Sequence, residues 1–341
     1  MFTFILRRVL QLPLILFGIS LLIFGLTQLL SPDIRAASFA VSEKQASQEF
    51  IQSIIQQYRL DDDLFTQYGI WLKSILLEGN LGFSRSDRRP VLESLASYVP
   101  ATMELAFIAI LFIAIFGIGM GILTAVKRNS WIDHTVRVLS IIAYGFPSFV
   151  VGIFILTLFY GILDWLKPGR YDTILSLTAG LTKTDGFMLF PLMFQGKWEV
   201  VWDLIKHLIM PVLTLTFVIS PQLIQVVRGN VIDTLRQDYV RTARAKGLQD
   251  RVVVIKHALR NALIPVITVL GSIMIGLLSG SIITETVFDF QGVGLWASKA
   301  AQQLDVPSVV GFALFAATAV TVINLLVDLL YGIIDPRIRY E

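Results

Sequence analysis

Six runs of this chain are too long and too apolar for a water-soluble domain: Val9–Leu30, Thr102–Val126, Val136–Leu163, Ile205–Val227, Leu263–Ile283 and Val306–Ile334. A helix that crosses a bilayer takes about 20 predominantly apolar residues, so the pattern predicts an all-α, multi-pass membrane protein with six transmembrane helices. Composition agrees. Of the 341 residues 55% are hydrophobic and 16% charged, where soluble domains carry about 25% charged residues, and the mean hydropathy is +0.71. The first run is expected to remain in the protein as a helix. It exceeds the apolar stretch of about 7–15 residues in secretory leaders, and no small-x-small cleavage site follows it. The absence of cysteine excludes disulfides, iron–sulfur clusters and Cys-ligated zinc, and His134, His207 and His257 are too scattered for a His-rich metal site.

The distribution of charge predicts the orientation. With the N-terminus on the cytoplasmic side, segments 1–8, 127–137, 228–262 and 335–341 lie inside and carry 15 Lys/Arg against 6 Asp/Glu. Segments 31–101, 164–206 and 284–305 then lie outside, with 13 against 17. Short basic loops weigh most in setting orientation, and Arg7-Arg8, Lys127-Arg128 and the stretch from Arg228 to Arg260 agree. Both termini are expected to be cytoplasmic. The pI near 9.1 then follows from topology and calls for no nucleic-acid partner.

The outside segment Ser31–Val99 is too long for a simple connector. Ser42-Glu43-Lys44-Gln45 reads as a capping box, after which Phe50, Ile51, Ile54, Ile55 and Tyr58 share a helical face. A second stripe, Leu64, Phe65, Tyr68, Trp71, Leu72, Ile75 and Leu76, follows Asp61-Asp62-Asp63 and ends at Gly79-Asn80. Two such amphipathic helices need a surface to cover, as a cap over the bundle or as a platform for another protein. In the second outside loop, Phe187–Phe194 is too short to span and reads as an interfacial or partly re-entrant piece.

The inside segment 228–262 is the most informative. Asp238 can cap a helix of about two turns over Tyr239–Lys246, roughly 12 Å long. Gly247 can take the left-handed conformation that ends it, and Asp250 can cap the next helix, which enters the fifth span past Pro265. Composition alone leaves two readings open: a rigid helix–Gly–helix feature on the cytoplasmic surface, or a basic juxtamembrane segment held by anionic lipid.

Arg241-Thr242-Ala243, Gly247-Leu248, Val254 and Leu259-Arg260, at their spacing, resemble the signature of binding-protein-dependent ABC importer permeases, with Arg-Thr-Ala where Glu-Ala-Ala is usual. The stretch Asp238–Pro265 is similar to the B-type permease subunit of the dipeptide, oligopeptide and nickel importers. Pro100–Leu105, Tyr144–Phe149, Thr284–Phe288, Gly292–Trp296 and Asn324–Gly332 extend the resemblance over essentially the whole chain. Ser31-Pro32-Asp33-Ile34 and Phe290-Gln291 depart from it. Both lie on the outside, where they bear on substrate and binding protein and not on the ATPase contact.

The resemblance implies a type I ABC importer permease fold (MetI-like) with an extra N-terminal helix over 1–30, an external helical cap over 31–99, and a permease core over 100–334 containing the coupling segment 228–262. It implies a subunit of an importer of di- or oligopeptides in a prokaryotic cytoplasmic (inner) membrane. The expected partners are a paralogous permease subunit, two ATPase subunits, an extracytoplasmic solute-binding protein and the lipid bilayer. Asp238, Tyr239, Arg241, Thr242, Ala243, Arg244 and Gly247 would couple to the ATPases, which would hold the ATP and Mg. This chain shows no phosphate-cradling loop: Gly196-Lys197 is followed by Trp198, and no glycine stands five residues before Gly196. It is expected to be no enzyme and to hold no cofactor or metal.

Other features keep two readings each. Glu104, placed in the first turn of the second span, suits the helix dipole or a relay. Asp328 suits a pairing partner or a functional intramembrane acid. Gly117-x-Gly119-x-Gly121 and Gly276-x-x-x-Gly280 suit close helix packing. Gly145 and Pro147 break the third span and Pro211 and Pro221 flank the fourth; such breaks either pack or line a cavity. Tyr144, Phe149 and Ser279 are the candidates for a translocation path. A stand-alone secondary transporter would show repeats and midplane ionisable residues, and an intramembrane enzyme a paired acid, metal cluster or nucleophile. Neither pattern is evident.

Overall fold

Two of the apolar runs fold into helices much longer than a bilayer requires, and the rest of the chain is arranged around that pair. The computed structural model describes residues 2–37, 39–40, 47–179, 186–279 and 281–334. The chain begins with α1 (Phe2–Thr27), α2 (Pro32–Ala37), α3 (Gln48–Tyr58) and α4 (Leu64–Glu78), then a minimal hairpin of β1 (Phe83–Ser84) and β2 (Arg89–Pro90). There follow α5 (Val91–Val126), α6 (Trp131–Gly145), α7 (Ser148–Leu156) with a π-helical continuation over Thr157–Ile162, α8 (Thr173–Thr178) and α9 (Leu189–Phe194). Next come α10 (Trp198–Leu235), α11 (Asp238–Ala245), α12 (Asp250–Val252), a π-helical stretch Val253–Ala258 and α13 (Leu259–Ala262). The last elements are α14 (Ile264–Leu278), α15 (Ile282–Val287), α16 (Val293–Gln302) and α17 (Val306–Ile334).

Glycine lets α5 and α10 approach. A Cβ on Gly117 would stand 2.6 Å from a Leu223 methyl, and one on Gly121 2.6 Å from Val227 Cβ. Leu223 and Val227 fill the notches, and with Leu105, Ile113, Val266 and Ile273 they build the main apolar core. Gly271 of α14 receives Val327 of α17 in the same way. Gly119 and Gly276 have open space where a Cβ would stand, so the first small-residue motif packs through Gly117 and Gly121 and the second not at Gly276; Gly280 lies outside the described residues.

Among the described residues four helices, α1, α5, α10 and α17, carry segments long and apolar enough to cross a membrane unbroken, and the number reaches six when each of two bent pairs is counted as one span. The first pair, Trp131–Gly145 with Ser148–Ile162, bends by 98°. Pro147 is the cause: it drives Phe146 out of the helical region to φ −88°, ψ 130°. The second pair, Asp250–Ala262 with Ile264–Leu278, bends by 55° just before Pro265. Pro211 and Pro221, expected to flank a span, instead lie within the unbroken α10.

The segment between α1 and α5 packs in part as the two stripes predict. Ser47 caps α3, its side chain accepting from Phe50 N at 3.2 Å; the expected capping box at 42–45 lies outside the described residues. Ile54 is buried, while Asp63 caps α4 and Gly79 ends it at φ 62°. On α4 the inward face is Gln67, Tyr68, Trp71, Leu72 and Ile75, and Leu64, Phe65 and Leu76 of the expected stripe face outward, Phe65 at 90% exposure. Tyr68 locks α4 to α1 by an edge contact with Phe24, centroids 5.3 Å apart, and a hydroxyl bond with Ser20 of 2.7 Å.

Candidate functional site

The segment 236–262 turns α10 directly into a short surface helix. Gln237 takes the N-cap position without a side-chain bond. Asp238, expected as the cap, is therefore the first helical residue, where its charge still faces the positive end of the helix. Its side chain is 97% exposed and pairs with Arg241 at 3.5 Å. Thr242 Oγ1 donates to the Asp238 carbonyl at 2.9 Å. Val240 and Ala243 turn inward against Val253 and make a small core with Leu235 beside it. Asn261 Nδ2 donates to Tyr239 Oη at 2.9 Å, which ties α11 to α13. Gly247 sits at φ 76° with nothing near its vacant Cβ position, so a side chain there would be opposed by backbone strain alone. Asp250 is likewise the first residue of α12 after Gln249 and not its cap; it accepts from Arg244 Nε at 3.3 Å.

The end of α10 that feeds this helix is fixed by an ion pair between a half-buried arginine and a buried carboxylate. Arg228 donates through Nε to Asp133 Oδ1 at 2.7 Å and through Nη2 to Oδ2 at 2.8 Å. Asp133, fully buried near the start of α6, also accepts from Asn129 N at 2.9 Å. The fork geometry is the strong form of such a contact, and it joins α6 to α10 on the side where α11 emerges.

Between the start of α7, the middle of α10, α14 and α15 lies an open groove of about 650 Å³. Ser148, Gln222, Ser272, Ser281 and Thr284 contribute its polar side chains, and Gly276 lines it. No charged side chain is among its lining residues. The volume falls within the ~300–1,000 Å³ usual for small-molecule sites. None of the three path candidates lines it. Tyr144 is 70% exposed and Phe149 45%, while Ser279, just past α14, donates to the Ile275 carbonyl at 2.6 Å. Gln222 and Ser272, polar residues inside apolar runs, were the signal that sequence reasoning passed over.

The opposite end of the bundle is closed by buried carboxylates. Glu285 Oε1 accepts from Thr102 Oγ1 at 2.8 Å and Ser281 Oγ at 3.2 Å, and Oε2 accepts from Leu295 N at 2.9 Å. A Cβ on Gly292 would stand 2.5 Å from both Glu285 and Thr102, which explains the glycines of Gly292-Val-Gly294. Burial pushes the Glu285 carboxyl up from its ordinary value, against the pull of those donors. Glu104 lies well inside α5 and not in its first turn. It pairs with Arg170 Nη2 at 2.9 Å and accepts from Met188 N and Leu189 N at 2.6 and 2.7 Å, anchoring α9. Phe187–Phe194, expected as an interfacial or partly re-entrant piece, packs inward through Met188, Leu189 and Leu192 and keeps Phe187, Phe190 and Phe194 exposed. Asp305 does the same for the hairpin, accepting from Ser84 Oγ at 3.0 Å and Ser308 Oγ at 2.7 Å. Asp328 is partly buried in α17. Among the described residues no three His, Asp or Glu side chains converge as a metal site requires.

Comparison with known proteins agrees with this arrangement along the chain. Residues 117–340 match the family described as binding-protein-dependent transport system inner membrane component. Residues 1–106 match the N-terminal family of the same membrane components. The probable D,D-dipeptide transport system permease protein DdpB of Escherichia coli K12 is 42% identical over 333 residues, 97% of this chain and 96% of its own length. The di/tripeptide transport system permease protein DppB of Pseudomonas aeruginosa UCBPP-PA14 is 37% identical over the full length of both chains. The glutathione transport system permease protein GsiC of Shigella flexneri is 32% identical, again over both full lengths. With two family matches and relatives this similar from end to end, the chain belongs to the binding-protein-dependent transport system inner membrane components and is a permease subunit of an ABC importer, not an enzyme.

Proposed function

We propose that this permease passes di- or oligopeptides and that α11 is the element through which ATPase motion reaches its spans. The peptide class is supported by the names of the relatives. The coupling role is supported by one observation above all: a two-turn helix, stopped by Gly247 at φ 76°, keeps Asp238, Arg241 and Arg244 exposed while Val240 and Ala243 seat it on the bundle. Exposed charges on a seated helix suit a groove on a separate ATPase, which would carry the ATP and Mg. In the full importer the chain pairs with a paralogous permease, two ATPase subunits and an extracytoplasmic binding protein, with both termini cytoplasmic. Residues 1–30 and 31–99 form the N-terminal helix and external cap, and 100–334 the core.

The groove at Ser148, Gln222 and Ser272 would be this subunit's half of the path, in place of Tyr144, Phe149 and Ser279, which do not line it. A neutral, mildly polar wall suits a zwitterionic cargo, since transport needs binding weak enough for release.

Reconstitution of the complete importer in liposomes tests the coupling role. Gly247→Val and Arg241→Glu should lower transport and the stimulation of ATPase by loaded binding protein, the latter variant more at low salt. External binding-protein affinity should stay unchanged. Parental transport and stimulation in both variants would overturn the role of α11 and favour its reading as a lipid-binding segment.

A further inference from the structure

A second cavity lies about one to two helical turns beyond the groove, toward the end of α10 from which α11 emerges. It measures about 370 Å³ and is walled by α5, α6 and α10, with Arg137, Ser140, Gln225, Arg228 and Gly229 among its lining residues. Gln225 and Gly229 stand three and seven residues after Gln222 of the groove, so they continue the same face of α10. Nothing stands within 4 Å of the place a Cβ on Gly229 would take. The two cavities are successive stations along one helix face.

Their chemistry differs. The groove has no charged lining residue, whereas this pocket is lined by two guanidiniums and no carboxylate. Among the described residues, Asp133 is the one acid within ion-pair distance of either. It is fully buried, and both its oxygens are taken up by Arg228. Those bonds hold the Asp133 carboxyl down at about 2, so it stays ionised, and two guanidiniums with one carboxylate leave a net +1. The surplus falls on Arg137, whose side chain is 44% exposed. Its Nε is 3.6 Å from Asp133 Oδ1, longer than a hydrogen bond. Its Nη2 meets His134 Nδ1 at 2.7 Å, a bond that supplies no negative charge.

A peptide carries the charge that would balance this surplus. Gly229 lies ~10 Å beyond Gln222 along the helix axis, about the length of three extended residues. A tripeptide leaving the groove would thus bring its C-terminal carboxylate beside Arg137, while Ser140 and Gln225 offer a hydroxyl and an amide to its peptide groups. An exposed guanidinium holds a carboxylate weakly, as release requires. We propose that this pocket is the exit station of the path, where Arg137 takes the C-terminal carboxylate of the departing peptide; the inference rests on the reading of the groove as the path.

The test uses the assembled importer in phosphatidylcholine nanodiscs, with both faces open and no binding protein. The probe is alanyl-photoleucyl-alanine, which carries a diazirine. After illumination, peptides covering 136–141 and 224–229 should carry label, alongside groove peptides covering 215–222 and 272–277. Trialanine should displace the label at 136–141 at a ~5-fold lower concentration than its C-terminal amide, about 1 kcal/mol and the upper end for an exposed charge pair. Arg137→Gln should erase that preference, and Arg137→Lys, which keeps the charge, should retain it. Adding phosphatidylglycerol to the discs should leave the label in place. Label in the groove but not at 136–141, equal competition by acid and amide, a preference that survives Arg137→Gln or is lost in Arg137→Lys, or displacement by phosphatidylglycerol would each overturn the exit station. Absence of label from groove and pocket alike would overturn the path itself, and the station with it.

Discussion

The two ends of this permease are built on opposite principles. At the cap end, Glu285, Glu104 and Asp305 are buried carboxylates, each accepting several hydrogen bonds from elements distant in sequence. At the other end α11 is held by Val240, Ala243 and Val253, one Tyr239–Asn261 bond and the exposed Arg244–Asp250 pair. Buried polar networks are costly to break, whereas exposed pairs contribute ~1 kcal/mol or less. The first kind of construction fixes a shape. The second lets a small helix stay seated while its outer face remains free for a partner.

The sharpest way to break the contrast is Glu285→Ala. It leaves the Leu295 amide and the Thr102 hydroxyl buried without their acceptor, at about 1–3 kcal/mol for each group, and should lower the thermal midpoint and yield of purified protein markedly. An unchanged midpoint would mean that the cap end is not held by this cluster. Gly292→Ala comes next. Its methyl meets Glu285 and Thr102 at 2.5 Å, an overpacking worth about 1–3 kcal/mol, and the same melting experiment should rank it just below Glu285→Ala.

At the α11 end, Val240→Ala removes two buried methyl equivalents, about 1.5 kcal/mol at ~0.8 each. Expression should fall little, but binding-protein-stimulated ATPase of the full importer should fall with the seat of the helix. Equal losses of yield and coupling would erase the distinction between the two ends. A pH series sharpens it further. The folded Glu285 carboxyl titrates above the ordinary glutamate range, so its contribution is complete below about pH 4.3 and is lost as pH rises through the folded value. Glu285→Gln should therefore flatten the pH dependence of the melting midpoint. The smallest effect belongs to Arg244→Gln, whose partner Asp250 is exposed: less than ~0.5 kcal/mol in stability, read by the same melt.

The sequence made the spans legible because lipid demands long apolar runs, and it made α11 legible because Gly247 is one of few residue types at ease at φ 76°. The break at Pro147 could be read for a similar local reason. What could not be read depends on partners far along the chain. Glu104 looked like a first-turn residue, since nothing nearby shows that α5 starts at Val91 or that Arg170 and Met188 converge on it. The Asp133–Arg228 pair joins residues 95 apart. Asp238 and Asp250 were misplaced by one position each, because Gln237 and Gln249 take the cap geometry without a side-chain bond. The polar groove was missed because serine and glutamine in apolar runs carry little weight until three helices bring them to one side.

α10 has 38 residues in one unbroken helix, which at 1.5 Å each makes a rod ~57 Å long. Two residues separate its end from α11, and near that end it is yoked to α5 through the notches at Gly117 and Gly121. For a rigid rod of that length, one degree of tilt about the far end sweeps the near end through an arc of ~1 Å. A side-chain-sized displacement of α11, ~5 Å, thus corresponds to a tilt of only ~5°, shared by both helices. Gln222, near two-thirds of the way along the rod, would travel ~3 Å in the same swing. The gearing is set by position along the helix: under the proposed coupling, the groove at Gln222 would move about two-thirds as far as the surface helix.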